Sequence, residues 1–456
     1  MAQDGIRTNH GNGVKKSMMQ HTDQQQWYQS RFELFEKRLN GEASSDIHRR
    51  RREALKAFGE IGFPTTKQEE WRFTNVGVVA GESFQPVLDR TMEVSEEELA
   101  AFDFRTRHRI VFVNGHWSER LSSREPFPAG VTVGSLAEAI KANHPLVNRH
   151  LGRYVSHREN AFTALNTAFV RDGLFVHVPD GTVVEDPIHV IFLTKNADKA
   201  LIVPRNLIVI GDRAKVSVVE SYGSLSPGSY LTTVVTEIVQ GAESAVEHDK
   251  LQIESELAYH VATTQSIHGE RSVFTSNSVA LGGAIVRNTI GATLSSTECE
   301  CTLNGLALAT GTQLIDNHTA IDHASPNCVS HELYKSILDG KSHGVFNGKI
   351  FVRQDAQKTD AKQTNKTLLL SDTATIDTKP QLEIFADDVK CTHGATVGQL
   401  DPDQVFYLRS RGIGQDDARD ILTFAFAADV ASRVHIEPLR VRIEALVREK
   451  LDRSRG

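Results

Sequence analysis

A long parallel β-helix, or solenoid, flanked by N-terminal and C-terminal helical segments is the architecture the sequence predicts, and three observations carry it. Beyond Leu174 the chain becomes a succession of short strand-like runs with no helical period between them. Turn signals recur at Gly211-Asp212, Gly241-Ala242, Gly269-Glu270, Ser295-Ser296 and Ser325-Pro326, spaced by roughly 26–30 residues. A sandwich would place its turns every ~8–12 residues, so a quasi-period near thirty points instead to stacked coils. At 456 residues the chain also exceeds one ordinary globular core, and a repeat architecture absorbs that length.

Residues 1–22 mix Gly, Asn, Lys, Gln and His without periodicity and read as a disordered tail. Residues 23–173 read as a helical and mixed domain. Its first helix begins near Trp27, with Tyr28, Phe32, Phe35 and Leu39 on one face and Gly41 as a stop. A second is capped by Ser45-Asp46 and buries Ile47, Ala54, Leu55 and Phe58, while Arg49 to Arg52 read as a solvated face. Arg109 to Val113 reads as a strand ending at the turn dipeptide Asn114-Gly115, and residues 135–166 as partly helical.

Residues 174–398 make the solenoid. Its strand-like runs are Phe175 to Val178, His189 to Leu193, Leu207 to Ile210, Lys215 to Glu220, Thr232 to Val239 and Ala245 to Ile253, continuing to Leu370. Alternation in Ile208/Ile210 and Val216/Val218 marks the inward face. Residues 399–456 are helical. Asp416-Asp417 starts a helix with the apolar stripe Ala418, Ile421, Leu422, Ala425 and Ala428, and Pro438 opens a last helix carrying Leu439, Ile443, Leu446, Val447 and Leu451. Covering the solenoid's ends is one job such helices could do.

Composition narrows the function classes. The net charge of −7 argues against a general nucleic-acid binder. No run of eighteen apolar residues offers a membrane span. Four cysteines, Cys299, Cys301, Cys328 and Cys391, together with a polar start lacking an apolar leader, suit a reducing, cytoplasmic setting. A Gly-x-Ser-x-Gly elbow and a His-Glu-x-x-His helix are missing, and so is a phosphate-binding Gly-x-x-x-x-Gly-Lys-Ser/Thr loop, so the chain is not expected to bind and hydrolyse nucleotide by itself.

The chemistry-bearing stretch is Lys379 to Thr396. Leu382 to Val389 reads as a strand, and an extended chain through Cys391 puts its thiol and the imidazole of His393 on one face, with Gly394 allowing a sharp turn directly after. Both groups are ligands for iron or zinc. On residue chemistry alone a packed Cys and a carbonyl-bound His are favoured, because two ligands leave a four-coordinate site half filled. Other constellations are weaker: Cys299-x-Cys301 suits core packing, Cys328 with His318, His323 and His331 fits no standard zinc spacing, and His343 reads as an exposed turn residue.

The runs Lys358-Thr359-Asp360-Ala361 to Leu370, Asp377 to Ile384, Cys391-Thr392-His393-Gly394-Ala395-Thr396-Val397-Gly398 and Phe406 to Ile413 resemble the SufB/SufD family of the Suf iron–sulfur cluster assembly machine. His393 and the block Phe63 to Thr74 are similar to its SufD branch. The resemblance covers about residues 25 to 450. It implies a right-handed β-helix and a non-catalytic scaffold that pairs with SufB through the β-helix and binds the ATPase SufC through C-terminal helices. A nascent iron–sulfur cluster would be shared transiently with SufB, with His393 facing a SufB cysteine and Cys391 beside it. Phe406, Tyr407, Arg409, Arg411, Ile421 and Leu422 would meet SufC, and the chain alone could form a homodimer. The alternative is a β-helix carbohydrate-active enzyme using carboxylates such as Asp355, Asp360 and Asp377. A left-handed acyltransferase helix would need a hexapeptide repeat, which the sequence lacks.

Overall fold

In the computed structural model, which describes residues 10–39, 45–89 and 92–453, the long middle of the chain winds as a parallel β-solenoid. Successive strands join two sheets in alternation. One sheet runs from Thr132–Ser135 and Leu174–Val178 to Thr375–Ile384, the other from His108–Val113 and Ile188–Thr194 to Lys390–Gly398. In the second sheet Lys215, Ala245, Val273, Glu300, Val329, Asp360 and Lys390 lie side by side, so one coil follows another at a nearly constant step along the chain. The turn spacing in the sequence measures this step.

The turns show why the step is kept. Arg213, Glu243, Arg271, Glu298, Asn327 and Lys358, one per coil, all sit in the left-handed region with φ between 54° and 64°. That conformation turns each N–H along the solenoid axis, where it donates to a carbonyl of the next coil at 2.7 to 3.3 Å. These bonds tie corner to corner and offset the local backbone cost. Gly241 belongs to the same corner, where an added Cβ would lie 2.6 Å from Asp212 N.

The lumen is packed with Val216, Val218, Phe274, Leu303, Ile321 and Phe346, yet it also holds a polar network that strand alternation did not reveal. Lys250 Nζ lies 2.7 Å from both His260 Nε2 and Asn288 Oδ1, and burial pulls its pKa down to about 8.

The N-terminal region both covers and extends the solenoid. His108–Val113 pairs in parallel with Ile188–Thr194, and Thr132–Ser135 pairs antiparallel with Leu174–Val178, so the sheets continue into the region read as a separate mixed domain. Trp117, Phe127, Val131 and Val133 pack against the lumen core there. Helix His10–Glu36 starts inside the stretch read as a disordered tail; residues 1–9 and Gly41 lie outside the described residues. Tyr28, Phe32, Phe35 and Leu39 are buried as the spacing predicts, and Ser45 caps helix Asp46–Ile61 by accepting from His48 N. The Arg49–Arg52 run is not wholly a solvated face. Arg51 is buried, donates to Val170 O at 3.0 Å and lies over the Phe35 ring, because helix Ala161–Phe169 packs across that side.

The segment 63–74 is a clasp on the outside of the first sheet. Trp71 stacks under the Arg287 guanidinium at 3.9 Å, Thr74 donates to Asp316 at 2.5 Å, and Arg287 donates to Glu70 O at 2.7 Å. At the other end, helices Gln415–Ala431 and Glu437–Arg453 lie along the flank of the second sheet, packing Ala427, Val430, Leu439, Ile443 and Val447 on Leu306, Leu308, Leu333 and Ile337. They do not cover the last coil, so the lumen opens there.

Candidate metal centre at the open end

Strand Lys390–Gly398 is the last rung of its sheet, paired on one side only, with Cys391 beside Ala361 and His393 beside Gln363. The run Leu382 to Val389, read as one strand, divides: Thr375–Ile384 ends the other sheet, and residues 385–389 form the corner between the two. Gly394 does not break the chain. The ladder to the rung below continues through Gly394, which pairs with Thr364, and holds the strand extended.

The predicted pairing of side chains follows from this register. Ala361 and Gln363 point into the lumen, and so do the residues stacked on them, Cys391 and His393. Cys391 is half-buried against Ile350, Val352, Ala356, Ala361 and Ala386, while His393 is exposed. Burial first, and then the Asp360 charge, hold the Cys391 thiol above its ordinary pKa against a backbone contact from Ala361. A metal bound here would have to displace the thiol proton. One sulfur and one imidazole nitrogen at a lumen mouth are a donor pair that suits iron. Among the described residues, no group of three or more His, Cys, Asp or Glu could hold a metal ion by itself.

Residues 192–426 match the SUF system FeS cluster assembly SufBD core domain, and residues 22–190 match the SufBD protein N-terminal region. The chain belongs to the SufB/SufD family. An iron–sulfur cluster assembly SufBD family protein of Synechocystis is 32% identical over 90% of this chain and 92% of its own length. SufD of Escherichia coli is 31% identical over 86% and 90%, and SufD of Bacillus subtilis 27% over 88% and 93%. Within the SufB/SufD family this chain is SufD-like.

The helical residues singled out for partner contact fall on a surface that the SufB/SufD fold leaves bare. Helix Pro402–Ser410 buries none of its residues; Phe406 is 70% and Tyr407 57% exposed, with Arg411 donating to the Tyr407 hydroxyl at 3.2 Å. Arg409 lies in the last turn of the same helix. On Gln415–Ala431 the buried side is Ala418, Thr423, Ala427, Val430 and Ala431. The apolar stripe read from the sequence is thus rotated: Ile421 is 47% exposed and Leu422 half-buried.

The remaining candidates separate in space. Cys301 packs in the lumen. Cys299 and Cys328 occupy equivalent corner positions on neighbouring coils, their sulfurs 3.1 and 3.3 Å from the same Ser296 O, and contact with Cys328 draws Cys299 down to about 7. Their separation in the sequence is one coil step, a signal that could have revealed the pair. His318 is on the outer face, His323 bonds Ser330 inside at 2.9 Å, and His331 is exposed, so they form no cluster with Cys328. His343 starts a strand, half-buried, and pairs with Asp377 at 2.8 Å rather than sitting in a turn. Asp377 and Asp360 lie on different sheets and Asp355 at a corner, so the three carboxylates named for a carbohydrate enzyme fall on different parts of the coil.

Proposed function

We propose that this chain is the SufD-type scaffold subunit of an iron–sulfur cluster assembly complex, pairing with SufB through its open solenoid end and with the ATPase SufC through its C-terminal helices. The nascent cluster is cargo held between subunits, with His393 as this chain's contribution and Cys391 beside it. The observation that carries the reading is the placement of both ligands on an unpaired terminal rung, where a second β-helix could continue the sheets and complete the coordination. Exposed Ile384, Phe385 and Val397 around the mouth favour a covered rather than a solvated end. Phe406 and Tyr407 give the flank helices a free aromatic surface of the kind that anchors partners.

The test is co-expression with SufB and SufC, followed by measurement of stoichiometry, iron and sulfide. His393→Ala is expected to keep the complex intact and its stability within about 0.5 kcal/mol, since the imidazole is exposed, while iron and sulfide loading falls strongly. Cys391→Ser is expected to have the milder effect. Full loading of an intact His393→Ala complex would make this histidine structural.

A further inference from the structure

Beneath the mouth lies a group of oxygens the proposed cluster site does not use. Gln363, directly under His393 in the stack, is 1% exposed, and Glu332, one rung further down, is 4% exposed. Gln363 Nε2 donates to Glu332 Oε2 at 2.7 Å, which leaves Gln363 Oε1 and Glu332 Oε1 buried without a hydrogen-bond partner. Thr319 approaches the same carboxylate from the facing sheet, and its Oγ1 is likewise buried and outside hydrogen-bond geometry. Three unpartnered oxygens from two facing sheets converge on one part of the lumen.

The backbone makes room for them. Thr319 is paired with Gly348, and a Cβ on Gly348 would collide with the Gln363 amide, so only glycine lets this side chain cross the lumen. Below Glu332 the next residue in the stack is Leu303, and Tyr334 and Phe346, with ring centroids 5.2 Å apart, belong to the same apolar core. The three oxygens therefore sit above an apolar layer, on the side of the lumen nearer the open end.

We propose that Thr319, Glu332 and Gln363 form an oxygen-donor station for a hard divalent cation, one to two rungs inside His393. One carboxylate and two neutral oxygens, with no sulfur or imidazole among them, select ions of the manganese(II), magnesium or ferrous class over thiophilic metals. Burial pushes Glu332 up to about 7, so a cation must displace a proton to meet its one negative charge; with water completing the shell, binding is weak and exchange fast. Rungs are ~4.8 Å apart, so an ion here sits within about 10 Å of the Cys391/His393 mouth and can be passed to it. That role in iron delivery rests on the function proposed above; the binding of a cation does not.

The test is titration of the full chain alone with manganese(II), reading free ion by electron paramagnetic resonance, with circular dichroism and thermal melts as folding controls. Glu332→Gln is expected to weaken binding about tenfold or more, and Gln363→Glu, which adds a second carboxylate, to tighten it. The double variant Cys391→Ser/His393→Ala is expected to bind as wild type. A wild-type chain that takes up no manganese would mean that the oxygens hold a buried water only, and would overturn the station. So would a folded Glu332→Gln variant that binds normally, or loss of binding in the double variant. None of these three results touches the scaffold reading, which stands or falls on iron and sulfide in the His393→Ala complex.

Discussion

His318 joins two stretches that lie far apart along the chain. Its ring lies 3.0 Å from Asp316 and 3.4 Å from Glu70 of the clasp. Burial works against its charged form, but Asp316 and Glu70 outweigh burial and the nearby Arg287, so its pKa is raised. A raised value means the folded state holds the proton more tightly. The stabilisation is complete below the ordinary histidine value of ~6.5 and is lost as pH climbs through the folded one. Urea unfolding of His318→Gln and wild type should show a wider stability gap at pH 5.5 than at pH 8.5; equal gaps would mean that the ring acts through packing alone. At this scale the sequence revealed residue types but not their directions. Arg51 sits in a run of four arginines whose charge says surface, and only the packing of Ala161–Phe169 turns that one inward. Glu332 and Gln363 are one coil apart, so their contact becomes visible only when the step of those particular turns is known. Cys391 and His393 were legible because strand alternation within one rung suffices to place them together.

Among the elements, strands were more legible than helices, and the reason is geometric. A strand's face repeats every second residue, so Val216/Val218 and Ala245–Ile253 read correctly from local pattern. Gly394 misled because its freedom to turn is overridden by the ladder to the rung below, where it pairs with Thr364, just as Gly291, Gly305 and Gly348 stay extended inside their strands. Helix Gln415–Ala431 carries apolar residues around much of its circumference, so the pattern does not say which side is buried on this chain. The structure sets Ile421 outward and Leu422 partly inward. Ile421→Ser therefore separates docking from folding better than Leu422→Ser. It is expected to change stability by no more than about 0.5 kcal/mol and to weaken SufC binding by an amount readable in a pull-down or by calorimetry. Undiminished binding by Ile421→Ser, and by a Phe406→Ser/Tyr407→Ser variant, would place the SufC contact elsewhere.

For the molecule as a whole, the turn interval revealed the solenoid but not how its ends are treated. Trp117, Phe127, Val131 and Val133 close one end, whereas the last rungs, Thr375–Ile384 and Lys390–Gly398, each have a free edge. Unpaired edges invite further strands, and a solenoid open at both ends could add subunits without limit. On the proposed pairing, whatever seats on the open end uses it up, and the other end presents only the short antiparallel strands Thr132–Ser135 and His116–Trp117 over its packed core, so end-to-end association is expected to terminate at two bodies. Light scattering of the isolated protein over rising concentration should level off at the mass of two chains; continued growth into longer rods would show the plugged end to be adhesive as well. One plugged and one open end thus make a chain built from a repeat that can extend indefinitely into a part that can be counted.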